Sequence, residues 1–225
     1  MIKVFSSWSG GKDCCLACYR AMKSGFKVEY LANMAHEGAK LSRTHGLSSD
    51  ILKMQAQAMN IPIIIQPTSD ERYEIEFKNM ASGLKDKGVS GGVFGDMDVI
   101  EHRQWVERVC QDIGMKAYLP LWLENQQKLM KELVAAGFKA IVVATNAAKL
   151  GEEWLGRLID VDFFEQMVEL NKIKGISVCG EAGEYHSLVI DGPIFKKKLE
   201  IIESDTINRD NHWFLNIKEV RLVAK

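Results

Sequence analysis

Residues 7–14 read SWSGGKDC, a bare, flexible, charged turn directly after the first apolar run of the chain. Gly10 and Gly11 can take backbone conformations closed to other residues, and they carry no side chain that would block a ligand. Their N–H groups, with those opening the next helix, would form a concave nest for an anion, reinforced by the helix dipole. Ser7 and Ser9 add hydroxyl donors, and Lys12 adds a positive charge. Asp13 is the odd member: an acid beside a phosphate site makes sense if it helps to hold Mg2+. The spacing does not fit G-x-x-x-x-G-K-[ST], so a P-loop NTPase is excluded. The competing reading is a glycine-rich strand-to-helix turn with no ligand.

A second cluster, VCGEAGEYHSLVIDGPIF, spans residues 178–195. Gly180 and Gly183 would let the backbone bend tightly and present Glu181 and Glu184 on one side, with Tyr185 following. Closely placed acids suit recognition of an amine or ammonium, removal of its proton, or a metal. A surface turn with solvated glutamates competes with that reading.

Elements must bring these turns together. Through the first 120 residues, β-rich runs at Ile2–Phe5, Val28–Asn33, Ile61–Gln66 and Val89–Phe94 alternate with helical spacing near 13–24, 47–59, 71–86 and 99–113. Such alternation predicts a parallel sheet with helices on both faces, whose ligands sit at the carboxyl ends of the strands. The SGGKD turn lies at the end of the first strand. Ser48, Ser49 and Asp50 are candidate caps for a helix over Ile51–Met59, which Asn60 and Pro62 close. YLPLW at 118–122 reads as a hinge. A helix near 124–136, a strand at 140–145, a helix near 161–171 and a β-rich tail follow. We therefore expect a domain over 1–120 and a smaller α+β portion over 121–225.

The 225 residues carry a net charge of -1, which gives no general pull toward nucleic acid. The KKK run at 196–198 reads as a solvated face. No apolar stretch is long enough to span a membrane, and no signal peptide follows Met1. The five cysteines do not form a secreted disulfide framework, so a cytoplasmic protein is expected. Cys15 and Cys18 form a CxxC beside Cys14, but without a second CxxC they read as small residues packing a helix against the sheet.

SGGKD resembles the pyrophosphate loop of the N-type ATP pyrophosphatases, with Cys14 where that group usually has serine. The 178–195 cluster is similar to the GEGGE(Y/F) signature of the diphthine–ammonia ligase family, with Ala182 in place of a glycine. THGLSSDILKMQAQAMNIP at 44–62, HRQWVERVCQDIGMKAYLPLW at 102–122 and LGEEWLGRLID at 150–160 resemble that family in the same order. FGDMDVIEHRQW resembles its prokaryotic branch.

The resemblance implies a Rossmann-like (HUP-type) fold and ATP-dependent amide formation. A carboxylate would be adenylated with release of pyrophosphate and then captured by ammonia. It implies ATP and Mg2+ as cofactors, ammonia as co-substrate, and elongation factor 2 carrying diphthine as acceptor, with a homodimer left open. The implied ATP site is Ser7, Ser9, Gly10, Gly11, Lys12, Asp13 and Cys14, with His45 and Gly46 beside the nucleotide. Lys12, Asp13, Glu181 and Glu184 would carry the chemistry. Asp96, His102, Trp154, Arg157, Gly180, Gly183 and Tyr185 would frame the acceptor. Capping of the helix near 99 competes for Asp96, and plain helix packing competes for Trp154. Three other functions stay open at this point: a tRNA-modifying adenylating enzyme, a ligase for a small carboxylate, and a non-catalytic nucleotide-binding module.

Overall fold

A computed structural model describes residues 1–36 and 47–225. His45 and Gly46 lie outside the described residues. The first sheet is all parallel, in the order β3-β2-β1-β4-β5, from β1 (Lys3–Ser7), β2 (Lys27–His36), β3 (Ile63–Thr68), β4 (Gly91–Val93) and β5 (Lys116–Tyr118). Helices α1 (Lys12–Lys23), α2 (Ser49–Met59), α3 (Tyr73–Lys85) and α4 (Ile100–Asp112) make the crossovers.

Parallel strands covered on both faces must be apolar on both sides. In β1, Val4 and Phe5 are adjacent and both buried, one in each of two apolar clusters. Val4 packs with α1 and α2 residues such as Cys15, Cys18 and Leu52; Phe5 packs with Phe77, Leu84 and Val109 from α3 and α4. The CxxC cysteines thus serve the core, and all five thiols are free. The fold is a doubly wound, Rossmann-like sheet. Its order reverses between β1 and β4, the place where such sheets bind ligands.

The second sheet has the order β7-β6-β9-β8 and is antiparallel. It is made from β6 (Lys139–Asn146), β7 (Tyr185–Asp191), β8 (Lys197–Arg209) and β9 (His212–Ala224), with α5 (Gln126–Ala135) and α6 (Val161–Lys174) packed on it. The two sheets share one apolar cluster running from Val4 to Leu199. Backbone bonds also tie them: Lys196 N–H donates to Ala58 O at 2.7 Å, and Val189 N–H to Gly10 O at 2.9 Å.

Helix ends follow local chemistry. Ser48 accepts the Ile51 N–H, Asn125 the Lys128 N–H and Asp160 the Phe163 N–H. Asn60 closes α2 in the left-handed region. The expected hinge at 118–122 contains instead the end of β5. That strand is three residues long and has no alternating pattern by which to be read.

Candidate active site

The turn after β1 is held from behind by a residue that is unremarkable in the sequence. Gln55, on α2, is wholly buried. Its amide donates to Gly10 O at 3.0 Å and Val189 O at 2.7 Å, and its carbonyl accepts the Trp8 indole N–H at 2.9 Å. One side chain thus pins the loop to both sheets. Gly10 has φ +83°, and a Cβ there would fall 2.7 Å from Leu52 Cδ2 and 2.8 Å from Gln55 Oε1. Only glycine fits that place.

The front of the turn carries backbone donors that the helix does not use. The first helical bond of α1 runs from Cys15 N–H to Gly11 O, so Asp13 and Cys14 N–H have no partner within the helix. Gly11 is the N-cap, and no side chain caps it. Ser9 Oγ takes the Gly11 N–H at 3.4 Å and reaches Cys14 Sγ at 3.5 Å. Cys14 in turn donates to Gly11 O at 3.1 Å. The thiol therefore bridges the loop from the position that the resembling family fills with serine. Burial disfavours its thiolate, but hydrogen bonds from Cys15 and Ser9 outweigh that and lower its pKa.

Lys12 turns toward the second cluster. It is 4% exposed, with Nζ bonded to Asp13 Oδ2 at 2.8 Å and to the carbonyl of Cys179, and it lies 5.2 Å from the centre of the Tyr185 ring. Its backbone N–H donates to Ser187 Oγ on β7. Burial alone would discourage the charge, but Asp13 and the other groups around it prevail and raise the pKa.

The 179–185 turn bends at Gly180 (φ +77°) and Gly183 (φ +72°); a Cβ at Gly180 would fall 2.8 Å from Tyr185 O. Its two acids face different surroundings. Glu184 is 1% exposed, accepts the N–H groups of Ser177 at 3.0 Å and Ala182 at 2.9 Å, and pairs with Lys149 at 3.3 Å. It holds the turn in shape. Glu181 lines a small cavity of about 200 Å3 with Lys12, Asp13, Gly183, Tyr185 and His186. Burial pushes its pKa up to about 7; Lys12 opposes this, while Asp13, Asp98 and Asp96 add to it.

Asp96 and His102 meet at 3.3 Å beyond the end of β4. Burial raises the Asp96 pKa, with His102 opposing. The N-cap of α4 is Val99 with no side-chain bond, so neither Asp96 nor Asp98 caps that helix. Asp98 accepts instead from Gln126 on α5, whose Oε1 takes the Ser177 hydroxyl and the Cys179 N–H. Trp154 is buried edge-on against Phe163 at 5.5 Å, and Arg157 stacks on Trp154 at 4.3 Å. Phe163 then meets Tyr185. Trp154 and Arg157 therefore stand behind the Lys12 and Glu181 cavity and do not line it.

Gln55, Ser187, Gln126 and the aromatic residues beside Asp96 are not singled out by sequence reasoning.

A doubly wound sheet with a glycine turn at its reversal point, facing a turn of acids, defines an α/β protein of the kind that takes its ligands at that point. The chain belongs to the diphthamide synthase family: its N-terminal domain model matches residues 2–117 and its C-terminal domain model residues 125–223. It is similar to diphthine–ammonia ligase of Mus musculus, at 27% identity over 98% of this chain and 91% of that protein. The Homo sapiens protein of the same name is 25% identical over 99% of this chain and 91% of its own length. The Schizosaccharomyces pombe protein, also of that name, is 25% identical over 93% of this chain, which spans 38% of that longer protein. A Methanocaldococcus jannaschii structure, titled as a predicted subunit of tRNA methyltransferase, aligns at TM-score 0.47 and 14% identity over 86% of this chain and 98% of its own; that likeness bears on no conclusion.

Proposed function

We propose that the two turns form one adenylation and amide-forming site. The protein is an ATP-dependent ligase that forms a carbon–nitrogen bond, of the diphthine–ammonia ligase type. The observation that carries the site reading is Lys12: one buried ammonium joins Asp13 of the nest to the 179–185 turn.

In this reading Gly10, Gly11 and the N–H groups of Asp13 and Cys14 receive the β- and γ-phosphates, with the Ser7 and Ser9 hydroxyls beside them. A carboxylate oxygen of the acceptor attacks the α-phosphorus. The bond to the bridging oxygen breaks, and pyrophosphate leaves with its new charge facing preorganised donors. Ammonia then attacks the acyl carbon, AMP departs, and the surplus proton passes to a base. Glu181 suits that role because its pKa lies close to neutrality. Glu184 positions the turn that carries Glu181.

Among the described residues, no group of three or more His, Cys, Asp or Glu is arranged to hold a metal ion. That suits Mg2+ bound mainly by ATP and water, with Asp13 as its protein carboxylate. When bound, the ion would offset the phosphate charge. We take the acceptor to be diphthine on elongation factor 2. The test is incubation with ATP, ammonium and diphthine-bearing factor. The factor should change mass from acid to amide, with AMP and pyrophosphate formed in step. An unchanged factor, or ADP as product, overturns the reading.

A further inference from the structure

Two loops of the site meet on one side chain that has no role in the steps above. Gln126 opens α5, next to the cap residue Asn125. Its Oε1 accepts the Ser177 hydroxyl at 2.8 Å and the Cys179 N–H at 3.1 Å, while its Nε2 donates to Asp98 Oδ2 at 3.1 Å. The Gln126 backbone carbonyl takes the Cys179 thiol at 3.4 Å. Residues 177–179 are therefore moored to the start of α5 on one side, and the same amide reaches the loop after β4 on the other.

Both residues that Gln126 holds are themselves contacts of the reactive groups. The Cys179 carbonyl accepts Lys12 Nζ, and the Ser177 hydroxyl oxygen accepts the Glu181 N–H at 3.0 Å. A hydroxyl that accepts one N–H and gives its own proton to a fixed oxygen has its rotation settled. Gln126 thus acts at one remove on Lys12 and on Glu181, which line the same cavity. The task suits an uncharged amide, which accepts at one atom and donates at another. Glutamate would set a second carboxylate against Asp98, and lysine would leave the Ser177 and Cys179 donors without an acceptor. Glu184 does not duplicate the mooring, because it takes the N–H groups of Ser177 and Ala182 instead.

We propose that Gln126 is a positioning residue for amide formation: it locks the 177–181 turn to the loop after β4 and so sets where Lys12 and Glu181 stand relative to each other. The proposal rests on the adenylation reading for the step that is served; the mooring itself is measurable without substrate.

The experiment compares Gln126→Met, Ser177→Ala and the double variant of the full chain, with circular dichroism to verify their fold. Without substrate, amide exchange followed by NMR should quicken about tenfold at Cys179 and Glu181 in Gln126→Met, as expected for the loss of one hydrogen bond. Ser177 and Ala182, held by Glu184, should keep wild-type rates. Ser177→Ala leaves α5 untouched and should quicken Glu181 alone. With substrates, Gln126→Met should lower kcat for amide formation about tenfold and hold KM for ATP within about twofold, because Gln55 and β7 hold the phosphate loop. The double variant should lose no more than Gln126→Met, since both changes break one path. Unaltered exchange at Cys179 and Glu181 in folded Gln126→Met, a loss of activity wholly in KM for ATP, or additive losses in the double variant overturns the proposal. Quickened exchange at those two amides in a protein that forms no AMP would remove the ligase reading and keep the mooring.

Discussion

The two glycine-bearing turns, 8–13 and 179–185, face one another across Lys12, and only the second is braced by an acid of its own. The first is held by other elements: Gln55 from α2, Val189 and Ser187 from β7. Its own front N–H groups stay available. The second is braced by one of its own acids, since Glu184 gathers the N–H groups of Ser177 and Ala182, while the Tyr185 hydroxyl bonds Val178 O and Gln126 and Lys149 hold the turn from outside. None of these contacts uses the Glu181 carboxylate, which lines the cavity. Two acids three positions apart in one motif thus separate into a scaffold and a reactive group, and burial with local charge makes the difference.

The largest effect expected from breaking this arrangement is at Lys12. Lys12→Met should lower turnover by about 10²–10³, the usual cost of removing one preorganised charge-stabilising donor. Steady-state pyrophosphate release measures it; near-normal rates would separate the two turns functionally. Glu181→Gln should slow amide formation by about 10², at the lower end of what a positioned base contributes, while single-turnover release of pyrophosphate from ATP and acceptor persists. A base must be deprotonated, so wild-type amide formation should fall as pH drops through about 7. The pH–rate profile of Glu181→Gln should lack that limb, and retention of it would assign the base elsewhere.

Glu184→Gln tests the other half of the comparison. It weakens charge-assisted bonds to two backbone donors, each worth about 1.5–3 kcal/mol, so denaturant unfolding should show a loss of that order. Its amide-forming pH limb should survive at reduced rate. Were Glu184→Gln to leave stability intact and erase the pH limb, the roles of the two acids would be exchanged. Gln55→Leu removes the acceptor of the buried Trp8 indole N–H and one donor each from Gly10 O and Val189 O, at about 1–3 kcal/mol for an unsatisfied buried group, and should raise KM for ATP. Gly10→Ala adds a strain of about 1–3 kcal/mol at a positive φ to the clash of its Cβ with Leu52 and Gln55, read as a lower unfolding midpoint.

Residue type alone made the first turn legible, because glycine, lysine and aspartate after a strand have few other uses. The four leading strands and their helices were equally plain, since short β-rich runs alternate with helical spacing there. β5 escaped because a three-residue edge strand ending beside Leu119 and Pro120 looks like a bend. Glu181 and Glu184 looked equivalent because their difference lies in contacts with Ser177, Lys149 and Lys12 from elsewhere in the chain. Gln55 resembled a solvated helix residue. The aromatic cluster beside Asp96 was invisible for a related reason: Tyr73 and Phe77 share a face of α3, but Phe94 and Trp105 join them from other elements.

The most direct test of the central claim is to label the acceptor carboxylate with heavy oxygen and follow the label through one turnover. Attack on the α-phosphorus within the nest should transfer one labelled oxygen to AMP and leave pyrophosphate unlabelled. Label in inorganic phosphate, or none in AMP, would contradict the adenylation account.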